Sequence, residues 1–230
     1  MTAGRESMLA AVRKSLDRRQ PADVAAATVA KRLAEPKASV IPARGRVEGE
    51  TAMAQFVFEA ERVSATTERV GALADVPERV RVYLQAANLP AAIKVAPDPE
   101  LAPIPWAQEP LLQISTGRAG DHDPVSLTGS FAGIAETGTL MLLSGPESPT
   151  TLNFLPDVHI VLLRTERIVG SYEEAWARLR SVRGPGDMPR AVNWITGPSR
   201  TADIEQTLLL GAHGPRRLHI IIVERGHDGG

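Results

Sequence analysis

Four compact runs, Leu140–Leu143, Val158–Leu163, Ala191–Ile195 and Leu218–Val223, constrain this chain more than any other feature. They are apolar at nearly every position rather than at every second one. A strand with one wet face alternates, whereas a strand buried on both faces does not. The runs therefore predict a largely parallel buried sheet flanked by helices, an α/β fold. The stretch between the second and third runs supports this. Ser171 and Glu174 have capping-box spacing, Ala175, Trp176, Leu179 and Val182 form an inward stripe, and Arg183-Gly184-Pro185-Gly186 stops the helix. Strand, crossover helix and strand in succession is the pattern of an α/β domain.

The same alternation begins near residue 50. Met53, Phe56, Val57 and Ala60 follow helical spacing, and Val63–Thr67 suits a short strand. A helix capped by Asp75, with Pro77 in its first turn, turns Val80 and Leu84 inward; a strand comes next near Ala92–Ala96. Before residue 45 the pattern is different. Leu9, Val12 and Leu16 share a helical face with Ser7 available as a cap, and Pro21, Pro36 and Pro42 punctuate the Ala- and Arg-rich segment beyond it. The division expected is an N-terminal helical arm over 1–45 and a single α/β domain over 46–226.

Charge and cysteine usage narrow the function classes. Lys plus Arg is 26 against 27 for Asp plus Glu, so no positive field recruits nucleic acid or anionic lipid. The chain has no cysteine, which excludes disulfides, thiolate zinc and a cysteine-held iron–sulfur cluster of its own. No apolar run approaches the ~20 residues of a membrane helix, so membrane insertion is not expected. The amphipathic start carries acids and lacks the apolar centre of a signal peptide, and a cytoplasmic location is expected. At 230 residues the chain buries roughly 70% of its surface and needs no metal to hold a core.

Two stretches stand apart from the scaffold. In Gly133-Ile134-Ala135-Glu136-Thr137-Gly138-Thr139 a carboxylate lies among apolar residues beside two hydroxyls and a glycine. Glu136 can act there as general base, nucleophile or hydrogen-bond acceptor, and Gly138 permits unusual dihedrals or close approach. A hairpin with Glu136 exposed at its tip is the plainer alternative. In Thr196-Gly197-Pro198-Ser199-Arg200-Thr201 a buried strand ends in a loop, and a short helix is expected from Asp203 to Leu210, with Asp203 and Gln206 at capping spacing and Gly211 as its stop. Such a loop suits a small carboxylate or phosphate, with Arg200 as clamp. Alternatively, Ser199 and Thr201 satisfy loop backbone while Arg200 pairs with a nearby acid.

His213, between Gly211 and Gly214, is a weaker acid–base candidate than Glu136, or a structural histidine of a tight turn. His159 and His219 read as satisfied strand residues. The ligand-binding candidates are thus Glu136, Thr137, Gly138, Thr139, Ser199, Arg200, Thr201 and Gly214. No metal site is expected, since His and carboxylates do not cluster. Dinucleotide, Walker and nucleophile-elbow motifs are missing, and Ser144–Pro149 reads as a loop able to cover a site.

Together G-I-A-E-T-G-T, T-G-P-S-R-T-A-D-I-E-Q and G-A-H-G-P-R-R-L-H, with Leu155–Val161, resemble the lactate-utilisation protein C family, most closely over 124–224. The resemblance implies the lactate-utilisation domain, whose fold is similar to the ribose-phosphate isomerase and coenzyme A transferase-like superfamily. It also implies a cytoplasmic accessory component of a system oxidising L-lactate to pyruvate. Such a component works with two partner proteins, at least one carrying iron–sulfur clusters, and holds no cofactor itself. In coenzyme A transferases a glutamate beside a glycine-containing turn is the nucleophile, which Glu136-Thr137-Gly138 resembles at the level of fold alone. Two alternatives therefore stand beside the accessory role: a stand-alone acyl- or phosphosugar-type transferase or isomerase using Glu136, and a non-catalytic scaffold for iron–sulfur partners.

Overall fold

The apolar runs at 158–163 and 218–223 lie side by side at the centre of a six-stranded sheet. The structure is a computed structural model that describes residues 2–15, 22–184, 186–202, 208–210 and 213–224. It divides into two compact units, Met1–Ser39 and Val40–Gly230. The first contains helices α1 (Thr2–Ser15) and α2 (Ala22–Ala34). The second contains the helices α3 (Gly49–Arg62), α4 (Val76–Ala86), α5 (Thr151–Phe154) and α6 (Tyr172–Arg183). Its strands are β1 (Thr66–Val70), β2 (Ala92–Val95), β3 (Gln113–Thr116), β4 (Val125–Gly129), β5 (Ala132–Ile134), β6 (Thr139–Leu143), β7 (Val158–Arg164), β8 (Ile168–Val169), β9 (Val192–Ile195), β10 (Arg200–Ala202), β11 (Leu208–Leu210) and β12 (Arg217–Val223).

The main sheet runs β1-β12-β7-β4-β2-β3, and every neighbouring pair is parallel. A second sheet, β8-β5-β6-β9, is antiparallel at β5–β6 and β6–β9. Two of the four runs, Leu140–Leu143 and Ala191–Ile195, belong to this second sheet and not to the parallel one. Leu140–Leu143 is largely buried as its run predicts, whereas Ala191–Ile195 is only half-buried because β9 is an edge strand; an apolar run does not encode strand direction. Leu140 and Leu142 pack with Phe56 and Ala60 of α3 and with Val161, Leu163 and Ile220 of the main sheet. Met141 and Leu143 turn the other way, onto Ala175 and Leu179 of α6. The opposite face of the main sheet is covered by α4 through Val80 and Leu84. Each such fully buried leucine contributes roughly 1.5–3 kcal/mol.

Several local expectations shift. Helix α3 continues to Arg62, and Ser64 takes a left-handed φ of 71°, so the strand expected at Val63–Thr67 starts only at Thr66. Asp75 accepts from the backbone of Ala72 at 3.0 Å instead of capping α4. The cap of α6 forms as its spacing predicts: Ser171 Oγ accepts from Glu174 N, while Glu174 accepts from Gly170 N at 3.0 Å. Val182, placed on the inward stripe, is instead 68% exposed. For the helix expected over 203–210, Asp203 and Gln206 lie outside the described residues, as does Gly211. Leu208–Leu210 form strand β11, paired antiparallel with β10, so a strand stands over those residues where a helix was expected. Among the described residues no helix is long and apolar enough to cross a membrane.

Candidate functional site

The β5–β6 hairpin carries Glu136, and its tip is not exposed. The Glu136 side chain is 11% exposed and ion-pairs with Arg44 Nη2 at 3.5 Å. Its backbone N–H donates to the carbonyl of Gly170 at 3.0 Å. Gly138 has φ 64°, and a Cβ there would lie 2.2 Å from the backbone nitrogen of Ala60. The glycine thus serves the docking of the hairpin on α3. The adjacent hydroxyls form a cluster: Thr139 Oγ1 lies 2.7 Å from Thr137 Oγ1, 2.9 Å from Tyr172 Oη and 2.7 Å from Thr196 Oγ1. Thr196 comes directly after β9, so this cluster joins the two stretches that stand apart in the sequence.

Arg200 turns elsewhere. Its guanidinium donates to the carbonyl of Val63 and to the hydroxyl of Ser64, just beyond α3. The carbonyl of Val63 also stands against Gly197, where φ is 79° and a Cβ would approach to 2.4 Å. Glu136 and Arg200 therefore engage different partners, Arg44 and the α3–β1 turn. Ser199 donates its backbone N–H to Pro215 O at 2.8 Å, which fastens the 196–199 segment to the start of β12. Thr201 lies in β10, opposite Leu209.

Between these segments and the amino ends of β7 and β12 is a cavity of about 200 Å³. Ser199, His213 and Gly214 line it, with Thr196 at one side. Its lining also includes Trp194 and two wholly buried polar residues, Asn153 and His159, none of them anticipated as site residues. Neither amide atom of Asn153 has a hydrogen-bond partner among the described residues. His159 Nε2 is 2.8 Å from Thr128 Oγ1, but Nδ1 has no partner among the described residues. Burial pushes the imidazole of His159 down to about 3, so the ring is neutral. His219 is likewise only half satisfied, bonded to Thr66 Oγ1 at 2.8 Å and stacked on Tyr83 at 4.0 Å. Asn153 carries no motif; its only signal is an amide set between Leu152 and Phe154, ahead of a buried strand.

The comparisons agree with this architecture. The LUD domain family matches residues 118–223, which include Asn153, His159, Thr196 and Gly214. An uncharacterized protein of Neisseria meningitidis serogroup B is 45% identical over 100 residues, covering 44% of this chain and 42% of that protein. Lactate utilization protein C of Deinococcus radiodurans is 32% identical over 159 residues, 61% of this chain and 71% of the relative. The chain spans less than half the length of several other curated relatives it matches, such as the Shouchella clausii protein at 44%. Among solved structures, a DUF162 family protein of D. radiodurans superimposes with a TM-score of 0.56 at 24% identity, covering 77% of this chain and 99% of that one. The fold and the matched segment define an α/β protein with a LUD domain. The chain belongs to the lactate utilization protein C family.

Proposed function

We propose that this chain is an accessory component of a system that oxidises L-lactate to pyruvate, working with two partner proteins of which at least one carries iron–sulfur clusters. The observation that supports this reading is the 32% identity over 71% of the D. radiodurans lactate utilization protein C. The chain has no cysteine with which to hold a cluster, so the electrons of the oxidation pass through the partners. Its own contribution is binding, at the cavity beneath 196–199 and 213–215. Arg200 is committed to Val63 and Ser64, and Glu136 to Arg44, so both act as positioning residues for the walls.

Growth on L-lactate as sole carbon source tests this role. A deletion strain fails on L-lactate, grows normally on pyruvate, and is rescued by the wild-type chain. Glu136→Gln rescues to at least about half the wild-type rate, because an ion pair whose arginine is largely exposed contributes little. Normal growth of the deletion strain on L-lactate, in a genome with no second copy, would end the lactate reading. A folded Glu136→Gln chain that fails to rescue would shift the reading to chemistry at that carboxylate.

A further inference from the structure

The loop over 144–149, expected to cover a site, stands between two cavities that the accessory role does not use. The smaller, of about 260 Å³, has Asp98, Glu100 and Glu147 in its walls. Arg167 lines it too and is paired with Glu100. The larger is a cleft of about 840 Å³ lined by Arg118, Arg183 and Arg190. The whole chain has a formal net charge of −1, so its overall balance does not account for three arginines on one cleft.

Three separate elements deliver these arginines, and hydrogen bonds fasten two of the delivering segments to the walls of the cleft. Arg118 lies in the connection from β3 to β4, where the next residue, Ala119, donates its N–H to Thr151 Oγ1 at 3.2 Å. Arg190 directly precedes Ala191, whose N–H donates to Ser144 Oγ at 2.8 Å and whose carbonyl accepts from Ser144 N at 3.0 Å. Thr151 and Ser144 line the same cleft. Arg183 closes α6, where the negative end of the helix dipole favours a cation, and Asp187 Oδ1 stands 3.5 Å from its Nη1. The dipole accounts for Arg183; it does not account for Arg118 or Arg190. The carboxylate of Asp187 is largely exposed, so that pair is weak and yields to a stronger acceptor. Like charges gathered on one cleft raise the free energy of the unliganded chain, and a bound anion removes that cost.

Size and lining set the chemistry of the ligand. A guanidinium pairs with a carboxylate or phosphate through two parallel hydrogen bonds, so a single small carboxylate satisfies one arginine. Arginines from three elements match a ligand that carries several anionic groups in a row. The volume of the cleft falls in the range of roughly 300–1,000 Å³ that holds cofactor-sized molecules. Met188, Pro149 and Pro189 give it an apolar wall, and Met188 is half exposed. A flexible thioether adapts to an apolar or planar body laid on it. We propose that this cleft binds an organic di- or triphosphate of nucleotide size. Its phosphates lie on Arg118, Arg183 and Arg190, and its body lies against Met188 and the two prolines. The proposal goes beyond the lactate reading and is independent of it, because its readout is binding by the purified full-length chain.

The probes are ADP, pyrophosphate and adenosine, titrated calorimetrically in EDTA at low salt. ADP is expected to bind, pyrophosphate at least about fivefold more weakly, and adenosine at least about tenfold more weakly than ADP. Arg118→Gln and Arg190→Gln, both at exposed positions, are each expected to weaken ADP binding by about tenfold while leaving the Tm within about 2 °C. Arg79→Gln removes the same charge from α4, where the arginine pairs with Glu68, and is expected to leave the ADP affinity unchanged. Binding of neither ADP nor pyrophosphate overturns the proposal, as does ADP binding that neither cleft substitution weakens. An affinity lowered as much by Arg79→Gln as by Arg190→Gln also overturns it, by revealing diffuse charge attraction in place of a site. Equal binding of ADP and pyrophosphate overturns the contact with an organic body, and adenosine binding as tightly as ADP overturns the phosphate contacts.

Discussion

His159 and His219 stand on neighbouring central strands, His159 opposite Leu218 and His219 opposite Ile160. Each has one ring nitrogen bonded to a threonine and the other without a hydrogen-bond partner among the described residues. Burial lowers His159 to about 3 and His219 to about 4, the latter even with the Glu68 carboxylate 3.8 Å away. In the unfolded chain both titrate near 6.5. Between those values the unfolded state holds more protons than the folded one, so stability rises with pH in that window. It is present in full above about 6.5 and is lost as the pH falls toward 4 and 3. Each ring is expected to cost about 2 kcal/mol of stability at pH 5 relative to pH 7.5. Urea unfolding at both pH values checks this, and His159→Gln is expected to remove about half of the histidine-linked difference. An unchanged pH dependence in that variant would show that His159 does not remain neutral in the folded protein.

These residues are only partly legible in the sequence, for a physical reason. An imidazole in an apolar run reads as buried, but whether its nitrogens are satisfied depends on Thr66 and Thr128, both distant in sequence. Asn153 is illegible for the same reason. Its helix α5 packs on β4 and β7, and no spacing pattern announces it. Glu136 and Arg200 are legible as unusual residues, while their partners, Arg44 and the turn at Val63–Ser64, lie in segments that carry no motif.

At the scale of elements, apolar periodicity locates strands and helices well and says less about their directions. The central strands β7 and β12 follow from uninterrupted burial, and α6 follows from its stripe and its cap. Strand β6 is as apolar as β7, yet it runs antiparallel to its neighbours, because its two faces are covered by the main sheet with α3 and by α6. The hairpin turn adds a backbone seat against α3 to these apolar contacts. Gly138→Ala is expected to destabilise the protein by about 3 kcal/mol, since it combines a left-handed φ with a Cβ driven into the backbone of Ala60. Gly145→Ala, where a Cβ meets nothing within 4 Å, is expected to stay within about 0.5 kcal/mol. Chemical denaturation of both variants decides the point; equal stabilities would mean that the hairpin does not depend on its seat against α3.

At the scale of the molecule, every residue of the three apolar clusters falls within Val40–Gly230. The helices of Met1–Ser39 show a different surface, with Met8, Val29 and Leu33 each at least half exposed. A unit whose described core residues all lie within its own bounds is expected to fold by itself, because cooperative stability follows buried apolar contact and not chain length. A chain of residues 40–230 is therefore expected to unfold cooperatively, with a Tm within about 3 °C of the full chain. Thermal unfolding of the two chains makes the comparison. If the shorter chain keeps its Tm but fails to restore growth on L-lactate, the first two helices serve the proposed partners and not the fold. A loss of cooperative unfolding would instead mean that α1 and α2 complete the core, and that the three clusters understate what holds the α/β unit together.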